Sequence, residues 1–158
     1  MRWTEPQVLA VLFSWNHGLF SWTPAIMLAV GGLFWLIKRD RLLGWGTLAV
    51  LLTAVYVNAA VVDWWGGEAF GARRFVSYTV FFTVGLGALV SSWRWAQWSG
   101  TFRIIAACVI ISNVLFLTQY QVALRSGGTI IEYPVSAQQV LLERFVLPWR
   151  LLNHQEQD

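Results

Sequence analysis

Apolar residues in this chain run in long blocks instead of alternating with polar ones. Four blocks, at 19–37, 42–62, 75–93 and 102–124, are separated by short polar segments that hold nine of the nineteen charged residues. Inside them neither the two-residue period of a half-buried strand nor the 3.6-residue period of a surface helix stands out. As helices rising about 1.5 Å per residue they reach about 28–35 Å, the thickness of a bilayer's hydrocarbon core. Open strand edges cannot satisfy their backbone groups in lipid, so runs of this kind predict helices. The expected fold is all-α: an integral membrane bundle of about four transmembrane helices.

Shorter elements flank these blocks. Thr4-Glu5-Pro6-Gln7 has the form of a capping box with proline in the first turn. The apolar run behind it, 8–13, is too short to span and predicts a short interfacial helix. Near the other end, Ser136-Ala137-Gln138-Gln139 precedes a stretch in which Leu141, Phe145, Trp149 and Leu152 fall on one side at helical spacing. That pattern predicts an amphipathic helix along the membrane, kinked at Pro148. The chain thus divides into a transmembrane domain at 1–125 and a C-terminal amphipathic, extracytoplasmic tail at 126–158.

Composition strengthens the membrane reading. Hydrophobic residues make up 57% of the 158 and Asp, Glu, Lys and Arg only 12%, about half the charged share of a soluble domain. Soluble enzyme folds are excluded as first choices. Many of the eleven tryptophans fall near block ends, as Trp22, Trp35, Trp45, Trp64, Trp65, Trp93, Trp95 and Trp98 do, where an indole finds its preferred headgroup level. The net charge of +3 forms no basic face, so it implies no nucleic-acid partner. Lone Cys108 allows no internal disulfide, and the N-terminus lacks a small-x-small cleavage site. Lys38, Arg39, Arg41, Arg94 and Arg103 lie on one side of the four-block topology and Arg2, Arg73, Arg74 and Arg125 on the other. The positive-inside rule then favours the 38–41 loop inside.

Candidate chemistry gathers at 63–74. Asp63, Glu68, Arg73 and Arg74 stand there among aromatic residues and Gly66, Gly67 and Gly71, which permit tight turns or close approach to a ligand. Two arginines at a helix start oppose the helix dipole. One reading is an anion site, with guanidinium groups forked onto a lipid-linked phosphate and Trp64 and Trp65 lining an acyl chain or stacking on sugar. The other is an interfacial loop with internal Asp–Arg pairs. His17 could carry a proton, touch substrate or cap a helix; with no second ligand at suitable spacing it does not indicate a metal. Tyr78, Thr79, Thr83 and Asn113 are expected to bond between helices, and Gly31-Gly32 and Gly85-x-Gly87 to allow close helix packing. No phosphate loop, HExxH or paired intramembrane carboxylates occur. No cofactor is expected.

Two stretches, LFSWNHGLFSWTP at 12–24 and YVNAAVVDWWGGEAFGARRFV at 56–76, together resemble the later transmembrane part of bacterial membrane glycosyltransferases of the protein O-mannosyltransferase and lipid A aminoarabinose transferase type. Asn58, Asp63, Trp64, Trp65, Gly66, Gly67, Phe70, Gly71, Arg73 and Arg74 follow that family's loop pattern; Asn16 stands where it has arginine. The resemblance implies a multi-pass protein of the bacterial inner membrane and a polyprenyl-phosphate sugar donor. Asp63, Arg73, Arg74 and His17 would lie at the donor phosphate, supported by Trp64, Trp65, Gly66, Gly67 and Glu68. The family's catalytic carboxylate belongs to an N-terminal half with many more spans. The expectation is therefore a C-terminal module, inactive alone and working with that half or another membrane protein. The alternative is a small non-catalytic membrane protein that binds lipid or stabilises a partner.

Overall fold

The computed structural model describes residues 1–66, 71–92 and 95–125, the helix alone being described at 92, 95–99 and 122–125, with a few isolated positions beyond 136. In chain order come α1 (Val8–Phe13), α2 (Leu19–Trp22), α3 (Ala25–Arg39), α4 (Arg41–Ala60), a 3-10 turn (Arg73–Tyr78), α5 (Thr79–Ser92) and α6 (Trp95–Arg125). No strand occurs among the described residues. Three stretches are long and apolar enough to cross a membrane: Arg41–Ala60, Arg73–Ser91 and Gly100–Gln121. The expected amphipathic helix of the tail lies outside the described residues.

The first apolar block is not one helix. Pro24 disfavours the helical conformation at the residue before it, and Thr23 sits at φ −130°, ψ 76°. The chain restarts as α3, with Ile26 N–H donating to the Thr23 carbonyl and Met27 N–H to that of Pro24. The fifteen residues of α3 reach about 22 Å, short of a hydrocarbon core. Two smaller expectations also change. The N-cap of α1 is Gln7, with no side-chain cap bond, so the 4–7 capping box does not form. Thr79 and Thr83 turn their hydroxyls back onto the Val76 and Thr79 carbonyls of their own segment, and Tyr78 stacks obliquely with Phe75 and Phe81.

A single residue, Asp40, joins α3 to α4. Its carboxylate accepts the Leu43 N–H at 3.0 Å, capping α4. The two helices fold back on each other where Gly44 faces Ile37; a Cβ on Gly44 would come within 2.6 Å of the Ile37 backbone. Helix α5 crosses α3 more closely still. A Cβ on Gly32 would overlap the Gly85 carbonyl, and one on Gly85 would overlap the Ala29 carbonyl. Small residues at such a crossing replace the hydrophobic drive that lipid cannot supply. Gly85 sits against Ala29 and Gly32, and Leu89 beyond it also approaches Gly32, so α5 runs parallel to α3 and antiparallel to α4.

This arrangement collects the N-terminal ends of α3 and α5 and the C-terminal end of α4 at one end of the bundle. The N-terminal arm closes that end. Arg2 and Gln7 N–H groups donate to the Ala60 and Ala59 carbonyls, which have no partner inside α4. The Tyr56 hydroxyl donates to the Trp3 carbonyl. Helix α6 meets the bundle at Phe116, edge-on to Trp22 at 4.6 Å; most of its length faces outward.

The glycine pairs separate cleanly into contact and open positions. Nothing stands within 4 Å of a Cβ placed on Gly31, which is exposed. Gly31→Ala should therefore hold or raise the melting temperature in detergent, by up to about 1 kcal/mol of helix propensity. Gly32→Ala and Gly85→Ala should each lower it, by about 1–3 kcal/mol or more. Equal behaviour of Gly31→Ala and Gly32→Ala would contradict this crossing.

Candidate anion and lipid site

His17 sits in the connection between α1 and α2, which folds upon Ser14. Asn16 N–H donates to Ser14 Oγ at 3.0 Å and Gly18 N–H to the Ser14 carbonyl at 3.0 Å. His17 is held at φ 63°, a left-handed conformation that costs a non-glycine residue about 1–2 kcal/mol. His17 is 2% exposed. Nδ1 lies 2.8 Å from Asn16 Oδ1, within hydrogen-bond distance. The ring stacks on Trp22 at 4.4 Å and 16°.

Trp22 anchors this knot. It was expected at the headgroup level as an interfacial indole, yet it is fully buried. Its Nε1–H donates to the Trp15 carbonyl at 2.7 Å, while its ring stacks with His17 and meets Phe116 edge to face. A helix-breaking Thr-Pro immediately after Trp22 turns that residue inward. Phe116 and, one turn later, Gln119 are the buried residues of α6 among those described. Within a uniformly apolar run neither carries a sequence signal of burial beyond Gln119's polarity.

Across from the knot lies the loop after α4. Gly66 N–H donates to the Asp63 carbonyl at 2.9 Å, closing a turn. Gly66 and Gly71 take φ of 77° and 66°, conformations that glycine adopts without steric cost. The Gly66 backbone faces both arginines, since a Cβ there would stand 3.6 Å from Arg74 Nε and 3.7 Å from Arg73 Nε. Arg74 Nη2 donates to Asp63 Oδ2 at 2.9 Å and to the Asp63 carbonyl at 3.2 Å. Of the two arginines, Asp63 pairs with Arg74. Arg73 is exposed and has no carboxylate partner among the described residues. Gly67 and Glu68 lie outside the described residues.

His17, Trp64, Trp65, Arg73 and Arg74 line one small cavity with Val11, Ala72 and Phe75. Two sequence stretches more than forty residues apart thus meet at a single place. Trp64 and Trp65 stand edge to face at 5.8 Å. Beside them a second cavity of about 320 Å³ runs between α3 and α5, with Arg73 in its lining. Its walls are formed by Leu19, Ile26, Val76, Phe82 and Leu86, apolar residues not singled out from sequence, with Thr79 and Thr83 among them. Asn58 is buried and donates to the Ala54 carbonyl of its own helix, which leaves it a structural part of α4. No three His, Cys, Asp or Glu side chains among the described residues could together hold a metal ion.

The chain matches no protein-family model, no curated protein and no solved structure.

Two substitutions distinguish the parts that hold this site together. Trp22→Ala removes the ring that contacts both His17 and Phe116 and should cost about 3–5 kcal/mol in detergent unfolding. Asp63→Asn breaks an ion pair whose side chains are 28% and 57% exposed, so it should cost less than about 1 kcal/mol. A Trp22→Ala protein as stable as wild type would contradict the anchoring role.

Proposed function

We propose that this end of the bundle holds the phosphate of a lipid-linked sugar donor, and that the chain is the C-terminal module of a bacterial inner-membrane glycosyltransferase. The observation carrying this reading is the cavity between α3 and α5, with Arg73 in a mostly apolar lining. A polyprenyl-phosphate sugar has that same polarity: a singly charged phosphodiester on a long hydrocarbon chain. An arginine without a carboxylate partner can fork onto phosphate oxygens, while Ile26, Phe82 and Leu86 suit isoprene units. The His17 imidazole and the indoles of Trp64 and Trp65 then stand on the sugar side of the phosphate.

In this reading α2 and α3 together make a fourth crossing beside α4 and α5, broken at Thr23-Pro24. The 38–41 turn faces the cytoplasm and the arginine loop the opposite side. The one carboxylate of the described site, Asp63, is held by Arg74, so the group that activates the acceptor comes from a further polypeptide segment or another membrane protein. The chain alone binds donor without transferring sugar. A second reading, a non-catalytic membrane protein that binds lipid or stabilises a partner, draws on the same Asp63–Arg74 pair, which neutralises one of the two arginines.

Titration of a short-chain polyprenyl phosphate in detergent tests the proposal. Arg73→Lys keeps the charge and loses the fork, and should weaken binding by roughly 10- to 150-fold, the equivalent of a charged hydrogen bond. Helix content and melting temperature should stay unchanged. Arg74→Lys, whose guanidinium is committed to Asp63, should lose less. Equal affinity of wild type and a folded Arg73→Lys would remove the phosphate reading, and sugar transfer by the chain alone would remove the module reading.

A further inference from the structure

We propose that the opposite end of the bundle carries a separate site for the headgroup of an anionic phospholipid. A cavity of about 680 Å³ opens there between the α3–α4 turn and the C-terminal part of α5, within the usual range of about 300–1,000 Å³ for ligand pockets. The room comes from α5. Val84, Ala88 and Ser91 follow one another at helical spacing along the lining, and the two smaller side chains leave space that leucine would fill. Leu36 and Leu43 line it from α3 and α4, and Lys38 and Arg39 stand at the turn.

Charge in this cavity is net positive, two cations against one carboxylate. Asp40 also lines it, but its carboxylate accepts the Leu43 N–H at the start of α4. Among the described residues neither Lys38 nor Arg39 pairs with a carboxylate; the ion pair found is Arg74–Asp63, at the other end. Lys38 Nζ lies 5.3 Å from the Trp35 ring centre, which places the ammonium beside a half-exposed indole of the kind that settles at headgroup depth. Two cations above apolar walls, at the end of membrane-length helices, match a phosphodiester over acyl chains. Basic pockets between membrane helices take up anionic headgroups for this reason. A free phosphate would satisfy the cations and leave the Leu36, Leu43 and Val84 walls uncovered, so the occupant inferred is the lipid.

Native mass spectrometry of the full chain in detergent tests this with short-chain phosphatidylglycerol, phosphatidylcholine of the same acyl length, and glycerol phosphate. Phosphatidylglycerol should bind in preference to both. Lys38→Gln and Arg39→Gln should each weaken it by about tenfold, the lower end expected for a charged hydrogen bond. Arg41→Gln removes an equal charge at an exposed position outside the cavity lining and should change little. Ser91→Leu, and Ala88→Val as a milder filling, should abolish preference for phosphatidylglycerol while leaving every charge in place. Arg73→Lys should have no effect, which separates this site from the one at the other end. Equal binding of the two lipids, glycerol phosphate binding as tightly as phosphatidylglycerol, an Arg41→Gln loss as large as that of Lys38→Gln, or undiminished preference in folded Ser91→Leu and Ala88→Val would each overturn the proposal.

Discussion

Gly32 and Gly85 bring the backbones of α3 and α5 into direct contact, and the positions of both ends of the bundle follow from that crossing. Lipid tails are as apolar as leucine, so membrane helices gain little from hydrophobic burial and associate through close packing instead. The crossing fixes α3 and α5 in parallel, and the one-residue turn at Asp40 sets α4 antiparallel to them. The carbonyls that end α4 then face the N-terminal arm, and the loop leaving α4 faces the connection that carries His17. A slip of one helical turn at the glycines would carry Arg73 about 5.4 Å along α3 and separate it from the histidine knot.

The two ends differ in how their charge is balanced. At one, Asp63 holds Arg74, Arg73 has no carboxylate partner among the described residues, and a buried imidazole lies against the same small cavity. At the other, Asp40 caps α4, and Lys38 and Arg39 have no carboxylate partner among the described residues. In both places one carboxylate is committed by short-range geometry, and a neighbouring cation beside apolar walls is left facing outward. The two cavities differ in size, about 320 Å³ near Arg73 and about 680 Å³ near Lys38.

The membrane-length helices were legible because an apolar block long enough to span has one backbone solution in lipid. Blocks 42–62, 75–93 and 102–124 correspond to α4, to the 3-10 turn with α5, and to α6. The first block is broken for a local reason that its hydrophobicity hides: Thr23-Pro24 interrupts the helix through the restriction proline imposes on its predecessor. Trp22 was misplaced with it, since end position alone does not tell an interfacial indole from one folded inward. The candidate site was legible as residue types in two stretches. Which arginine Asp63 holds was not, because spacing within an irregular loop does not set direction. The cap of α1 failed as a sequence motif because its first turn is organised by a distant element, with Gln7 N–H donating to Ala59 of α4.

The central claim, that α4 crosses the membrane and separates the arginine–histidine end from the lysine–arginine end, is open to direct measurement. Cys108 is exposed, so a Cys108→Ser background is needed. Single cysteines are then introduced at Arg41 and at Val62, exposed positions at the two ends of α4. A membrane-impermeant maleimide applied to sealed vesicles of one orientation should modify one of these cysteines and reach the other only after permeabilisation. Modification of both from the same side of the membrane would contradict the account.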